Sequence, residues 1–183
     1  MLEVAVATLA ENGVSALTTR EVARRAHTST AALYELFGDK TGLIRAVFFE
    51  AFKLLRRDFE QLDSSDAPLT DLVRVVTAFR SFIQSNPVLA ELMFSRPFPE
   101  FVPGPRELAA GSLVQEFLVE RVRRCLDDGL LLGDEADIAH VIVAFIQGLA
   151  VQEAAGWLGT SKASVDHRWT LAIRALLDGL SQS

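Results

Sequence analysis

Apolar positions recur every three to four residues through almost the whole chain, and no strand-like alternation lasts longer than a few residues. Leu2, Val6 and Leu9 open the helical pattern and Asn12-Gly13 stops it. A short helix fits 19–26, with Thr18 or Thr19 as N-cap and Val22, Ala23 and Ala26 turned inward. Another fits 29–37, capped by Ser29, with Leu33 and Phe37 inward and Gly38-Asp39 as its break. A long helix from about 41 to 62 places Leu43, Val47, Ala51 and Leu55 on one face. Residues 64–68, Ser-Ser-Asp-Ala-Pro, make the clearest internal break, after which the pattern resumes over 69–85, 88–95, 106–128, 135–158 and 164–180. Pro97, Pro99, Pro103 and Pro105 keep 96–106 out of helix, because proline lacks the amide donor and clashes with the preceding turn. The expectation is an all-α fold of about nine helices.

Composition narrows the class. Half of the 183 residues are hydrophobic, which suits a packed core and excludes a disordered chain. The one cysteine, Cys125, cannot form an intramolecular disulfide, which excludes a disulfide-stapled secreted module. No charged-then-apolar leader opens the chain. The greasiest stretch, 141–146, is flanked by His140, Gln147 and Gly148, whereas a bilayer span needs roughly 20 apolar residues. A cytoplasmic protein with no membrane partner is expected. The net charge of −6 argues against a wholly basic nucleic-acid binder, but the charge is uneven. Residues 1–57 carry eight Lys/Arg against six Asp/Glu, and the remainder ten against eighteen.

The basic side holds a motif. Residues 18–43 read TTREVARRAHTSTAALYELFGDKTGL: a short helix, a tight turn, a second short helix, then a break with a lysine. Helix-turn-helix units read DNA this way, bringing the start of the second helix against base edges. Ser29, Thr30, Ala31 and Ala32 are small enough for that approach. The start of the preceding helix, at Thr19, offers free amides to phosphate. Arg20 can pair bidentately with guanine. Arg24 and Arg25 stay open between a solvated face and backbone phosphate contact.

This stretch resembles the N-terminal DNA-binding domain of TetR-family transcriptional regulators. The resemblance rests on Glu11-Asn12-Gly13, Leu17-Thr18-Thr19-Arg20, Val22-Ala23, Leu33-Tyr34, Phe37, Asp39-Lys40 and Leu43, over roughly 45 residues. It implies DNA contact by Thr19, Arg20, Ser29, Thr30, Ala31, Tyr34 and Lys40, with Val22, Leu33, Phe37 and Leu43 holding the unit together. It also implies a DNA-binding domain over 1–45 (motif 18–37) and an effector-binding and dimerisation domain over 46–183. The sequence departs from the family at His27, where glycine is usual, at Thr28, where valine is usual, and at the start, where a basic stretch usually precedes the first helix. Histidine tolerates a left-handed backbone better than most residues, so the turn can survive.

Other chemistries find little support. His27, His140 and His167 fall in three separate elements, and no Cys/Asp cluster has ligand spacing, so no metal or cofactor is expected. Asp134-Glu135-Ala136-Asp137 spells the helicase tetrapeptide, yet no phosphate-binding loop precedes it, and Gly159-Thr160-Ser161-Lys162 is only a near miss. No nucleophile elbow is present, no catalytic residue is assigned, and no enzyme is expected.

Past residue 64 the sequence offers candidates of two kinds. Phe79, Phe82, Met93, Phe94, Phe98, Phe101, Phe117 and Trp157, with Arg121, His140 and Gln147 as polar fixers, are candidates for a mostly apolar pocket holding a hydrophobic small-molecule effector. Taken singly, each aromatic reads more readily as ordinary core than as pocket lining. The helix over 135–158 is apolar over most of its circumference and must be covered on most sides. Ile138, Val141, Ile142, Phe145 and Leu149, with Trp169, Ile173 and Leu176 of the last helix, are candidates for a homodimer interface built as a four-helix bundle. The expected function is a ligand-responsive repressor that binds a palindromic double-stranded DNA operator as a dimer. The alternative is a helical small-molecule-binding or interaction protein with weakened or lost DNA binding.

Overall fold

The computed structural model describes residues 1–94 and 102–181. Among these the chain forms nine α-helices: α1 (Leu2–Asn12), α2 (Thr19–Arg25), α3 (Thr30–Phe37), α4 (Lys40–Glu60), α5 (Pro68–Ser85), α6 (Pro87–Phe94), α7 (Pro105–Asp127), α8 (Glu135–Ala154) and α9 (Lys162–Ser181). No strand occurs among the described residues, and the all-α expectation stands. A 3₁₀ turn at Val14–Ala16, which the periodicity did not show, follows α1. The predicted helix over 135–158 ends at Ala154. There Gly156 takes φ 74°, and the Trp157 amide folds back onto the Gln152 carbonyl at 2.9 Å.

The helices divide into two compact units, residues 1–58 with 81–114, and residues 59–80 with 115–183. In the first, Leu9, Leu17, Val22, Leu33, Leu43 and Val47 are completely buried, so α1 to α4 close around one small core. Further along α4, Phe52 meets Phe48 at 4.9 Å and Phe94 of α6 at 6.4 Å between ring centroids. Glu107, at the start of α7, is buried; it pairs with Arg45 at 2.7 Å and accepts from the Gly104 amide at 2.8 Å. Burial raises the Glu107 pKa, but Arg45 and the amides outweigh it and hold the carboxyl below its usual range.

In the second unit two charge networks lie beside the apolar core. Asp71, 1% exposed, accepts from the Ser65 amide at 2.7 Å, the Ser65 hydroxyl at 2.8 Å and Arg124 at 2.8 Å. The Ser65 amide, the largest contributor, with the hydroxyl and Arg124, outweighs burial and lowers the Asp71 pKa to about 2. Arg80 of α5 forks onto Glu153 of α8 at 2.7 and 2.9 Å, meets Asp166 of α9 at 2.9 Å and stacks on Trp169 at 4.8 Å. Trp169 Nε1 donates to the same Glu153 at 2.7 Å, so three helices share one polar knot. Cys125 is buried in this core, and burial pushes its thiol up to about 11, which makes it an inert packing residue.

Candidate nucleic-acid interface and companion sites

The reading unit is built from local signals. Thr18 caps α2, its hydroxyl accepting from the Glu21 amide at 3.2 Å, and Ser29 caps α3 by accepting from the Ala32 amide at 3.1 Å. Between them His27 adopts φ 50°, the left-handed backbone that a tight turn requires and that glycine usually supplies. The departure at His27 is therefore accommodated by the turn. Gly38, at φ 78°, ends α3, and Asp39 Oδ1 accepts from the Gly42 amide at 2.8 Å as α4 begins. A Cβ at Gly42 would collide with the Phe37 carbonyl, so α4 leaves α3 at an angle that only glycine permits there.

These constraints leave a polar face outward. Arg20, Ser29, Thr30, Ala31, Tyr34 and Lys40 are all exposed, and Thr19 is half-buried with its hydroxyl donating to Tyr34 OH at 3.5 Å. Tyr34, with 53% of its surface open, is no core residue. Arg24 and Arg25 are committed elsewhere: Arg24 forks onto Glu21 at 2.6 and 2.9 Å, and Arg25 meets Glu11 at 2.5 Å. The inward partners are Val22, Leu33 and Leu43, completely buried, and Phe37, half-buried.

The pocket candidates fall in both units. Phe82, Met93 and Phe94 belong to the first unit; Phe79, Phe117, Arg121, His140, Gln147 and Trp157 belong to the second. Phe98 and Phe101 lie outside the described residues. Phe79, Phe82, Met93 and Arg121 are buried, Phe94, Phe117 and Gln147 are half-buried, and His140 is exposed beside Gln115 and the Ala136 carbonyl. Trp157 stands 79% exposed on the turn after α8. A groove of about 530 Å³ runs between α5 and α9, its lining including Val76, Trp169, Ile173, Leu177, Arg80 and Asp166. Sequence reasoning missed this groove, since its two walls, on α5 and α9, are far apart in the chain and neither carries a motif. It also missed Phe48, Phe52 and Phe59 of α4 as aromatic partners, although their spacing of four and seven residues on one helix was a usable signal.

The interface candidates sort by exposure. Ile138, Ile142, Trp169 and Ile173 are buried within the chain itself, and Leu149 and Leu176 are half-buried. Val141 and Phe145 are exposed, and Val151 and Leu171 extend the apolar surface on α8 and α9. The two motif-like strings resolve into helix starts. Asp134 caps α8 by accepting from the Ala136 and Asp137 amides, Glu135 pairs with Arg123, and Ser161 accepts from the Ser164 amide at 3.2 Å as α9 begins.

A capped helix-turn-helix with an outward polar face, joined to a second helical unit, defines a DNA-binding regulator. Residues 1–47 match bacterial regulatory proteins of the tetR family, and residues 72–176 match the tetracyclin repressor-like C-terminal domain. The chain belongs to the TetR family of transcriptional regulators. It is 24% identical over 151 residues to the uncharacterized HTH-type transcriptional regulator YvkB of Bacillus subtilis strain 168, covering 81% of this chain and 78% of that one. A Rhodococcus sp. RHA1 protein of unknown function superposes with a TM-score of 0.85 at 28% identity, covering 99% of this chain and 93% of the other. The Bacillus subtilis regulator FadR, solved in complex with stearoyl-CoA, superposes with a TM-score of 0.77 at 14% identity, covering 97% and 96%. By length and composition alone α8 would also serve as a membrane span, but it lies within the stretch matched to the family's C-terminal domain.

Proposed function

We propose that the chain is a homodimeric, ligand-responsive repressor rather than an enzyme, working on DNA in the cytoplasm. Residues 1–45 read one half-site of a palindromic operator through Thr19, Arg20, Ser29, Thr30, Ala31, Tyr34 and Lys40, and residues 46–183 dimerise and bind an apolar effector. The observation that carries this reading is the exposed polar face of α2 and α3, held by the Thr18 and Ser29 caps and the left-handed His27. The bare apolar surface of Val141, Phe145, Val151 and Leu171 supports pairing through α8 and α9. Half-sites on one face of B-DNA lie about 34 Å apart, so a modest rotation of α4 unmatches the two readers. An effector produces that rotation only if it binds one state better than the other.

The test is a gel shift of the full chain against DNA upstream of its own gene, with light scattering to give the species that binds. A dimer that shifts this DNA specifically, and is released by a molecule recovered from the purified protein by mass spectrometry, supports the reading. A monomer, or a dimer with no preference for that DNA over a scrambled fragment, overturns it.

A further inference from the structure

Three arginines crowd the C-terminal half of α7, at 121, 123 and 124. The two more exposed ones have their counter-charges: Arg123 pairs with Glu135 at 2.7 Å and Glu120 at 2.9 Å, and Arg124 with Asp71 at 2.8 Å. Arg121, the most buried at 8% exposure, has none among the described residues. Among the described residues it makes one hydrogen bond, donating from Nη2 to the Leu62 main-chain carbonyl at 3.2 Å, and its enclosed Nε has no partner. This inverts the usual order, in which burial of a charge is tolerated only with pairing. A guanidinium cannot escape by losing its proton. Closing the turn after α4 accounts for one of its five donors and leaves the charge unanswered.

We infer that Arg121 captures the anionic head group, a carboxylate or phosphate, of an otherwise apolar effector, and in doing so lets go of the Leu62 carbonyl. This rests on the ligand-responsive reading above and names the chemistry of the ligand. The planar fork suits either oxyanion. A peptide carbonyl takes one donor and brings no charge, whereas an oxyanion brings the opposite charge and takes two parallel N–H bonds from the fork, so it displaces the carbonyl from the same donors. Apolar surface for the remainder is adjacent. Phe117 lies one turn before Arg121 on the same face of α7, in edge contact with Phe59 at 6.0 Å. The carbonyl released belongs to the turn that ends α4, where the Leu62 amide bonds the Phe59 carbonyl at 3.0 Å. That helix begins at Lys40, directly after α3, so the head group acts on the end of the helix that carries the reader. Residues 58–183 are otherwise rich in carboxylates, eighteen against ten basic residues, so an anion meets no general attraction there.

Four probes of one chain length decide the matter on the full-length dimer: octanoate, octyl phosphate, octanol and octylamine. Calorimetric titration should give octanoate or octyl phosphate a Kd about tenfold or more below that of octanol, the worth of one charged hydrogen bond. The relative strength of the two anions separates carboxylate from phosphate. Arg121→Met should abolish the head-group preference while raising the melting temperature of the unliganded protein, because an unpaired buried charge is gone. Arg121→Lys should keep part of the preference, and hydrogen exchange of the 60–66 amides should speed up with the preferred anion. Equal affinity for octanol and octanoate, or a preference that survives Arg121→Met, overturns the inference and leaves Arg121 as a closure of α4. If Arg121→Met does not fold, the wild-type ranking and Arg121→Lys carry the same decision. Octanol and octanoate releasing DNA equally well would sink the inference alone. Failure of all four to affect an intact DNA complex would sink the ligand-responsive reading with it.

Discussion

Two surfaces of this regulator are left bare, and they are bare in opposite ways. The face of α2 and α3 exposes small, polar and basic groups, Arg20, Ser29, Thr30, Tyr34 and Lys40, over a core with no accessible surface at Val22 and Leu33. The helices α8 and α9 expose Val141, Phe145, Val151 and Leu171 and bury Ile142, Ile146 and Ile173. A polar face is content in water and, in the function proposed above, meets phosphate and base edges. Exposed apolar side chains carry a hydrophobic cost until a second surface covers them. The first surface is therefore specified by which residues stand on it, and the second by which residues have nowhere else to go.

The sharpest way to break the contrast is to charge the apolar face. Under the pairing proposed above, Val141→Glu should dissociate the dimer, because an uncompensated carboxylate in an apolar interface costs about 3–5 kcal/mol. Ile142→Glu, one residue on but buried in the chain itself, should unfold the protein instead. Light scattering and circular dichroism of the two variants separate assembly from folding. A folded, dimeric Val141→Glu protein would place the interface elsewhere.

The polar face should respond by loss of selectivity rather than loss of structure. Arg20→Ala and Tyr34→Ala should each weaken operator binding by about 1–3 kcal/mol with the melting temperature unchanged. Lys40→Ala should weaken binding to every sequence alike and lower the salt slope by about one. Competition assays at two salt concentrations read both effects. Unchanged selectivity in the first two variants would mean the bases are read by other residues.

Smaller effects test the local signals that hold the reader open. Ser29→Ala removes the hydroxyl that caps α3 and should lower stability by about 1 kcal/mol, visible in a denaturant melt. His27→Gly should raise stability by about 0.5–1 kcal/mol. A left-handed residue other than glycine costs about 1–2 kcal/mol, and the added freedom of glycine when unfolded returns about half of that. A destabilised His27→Gly protein would show that the imidazole makes a contact worth more than the backbone strain.

How far each surface could be read in advance follows from the range of the forces that shape it. The reader was legible because caps, a left-handed turn and helix breaks act over a few residues: Thr18 answers Glu21, Ser29 answers Ala32, and Asp39 answers Gly42. Periodicity likewise placed the helices, missing only the 3₁₀ turn at Val14–Ala16 and stretching α8 past Gly156.

The α8 face was legible only as an apolar helix that must be covered, since a helix apolar on most sides does not say which side its own chain takes. Of the eight interface candidates, Ile138, Ile142, Trp169 and Ile173 are buried within the chain itself. The charge networks were out of reach for a related reason. Arg80 and Glu153 are 73 residues apart, and nothing in either neighbourhood names the other. Arg121 shows the limit most plainly. The sequence supplied a guanidinium three positions from Arg124 on the same helix. Only the packing of α7 against the end of α4 and the start of α5 decided that Arg124 would receive Asp71 and that Arg121 would be enclosed with a single carbonyl.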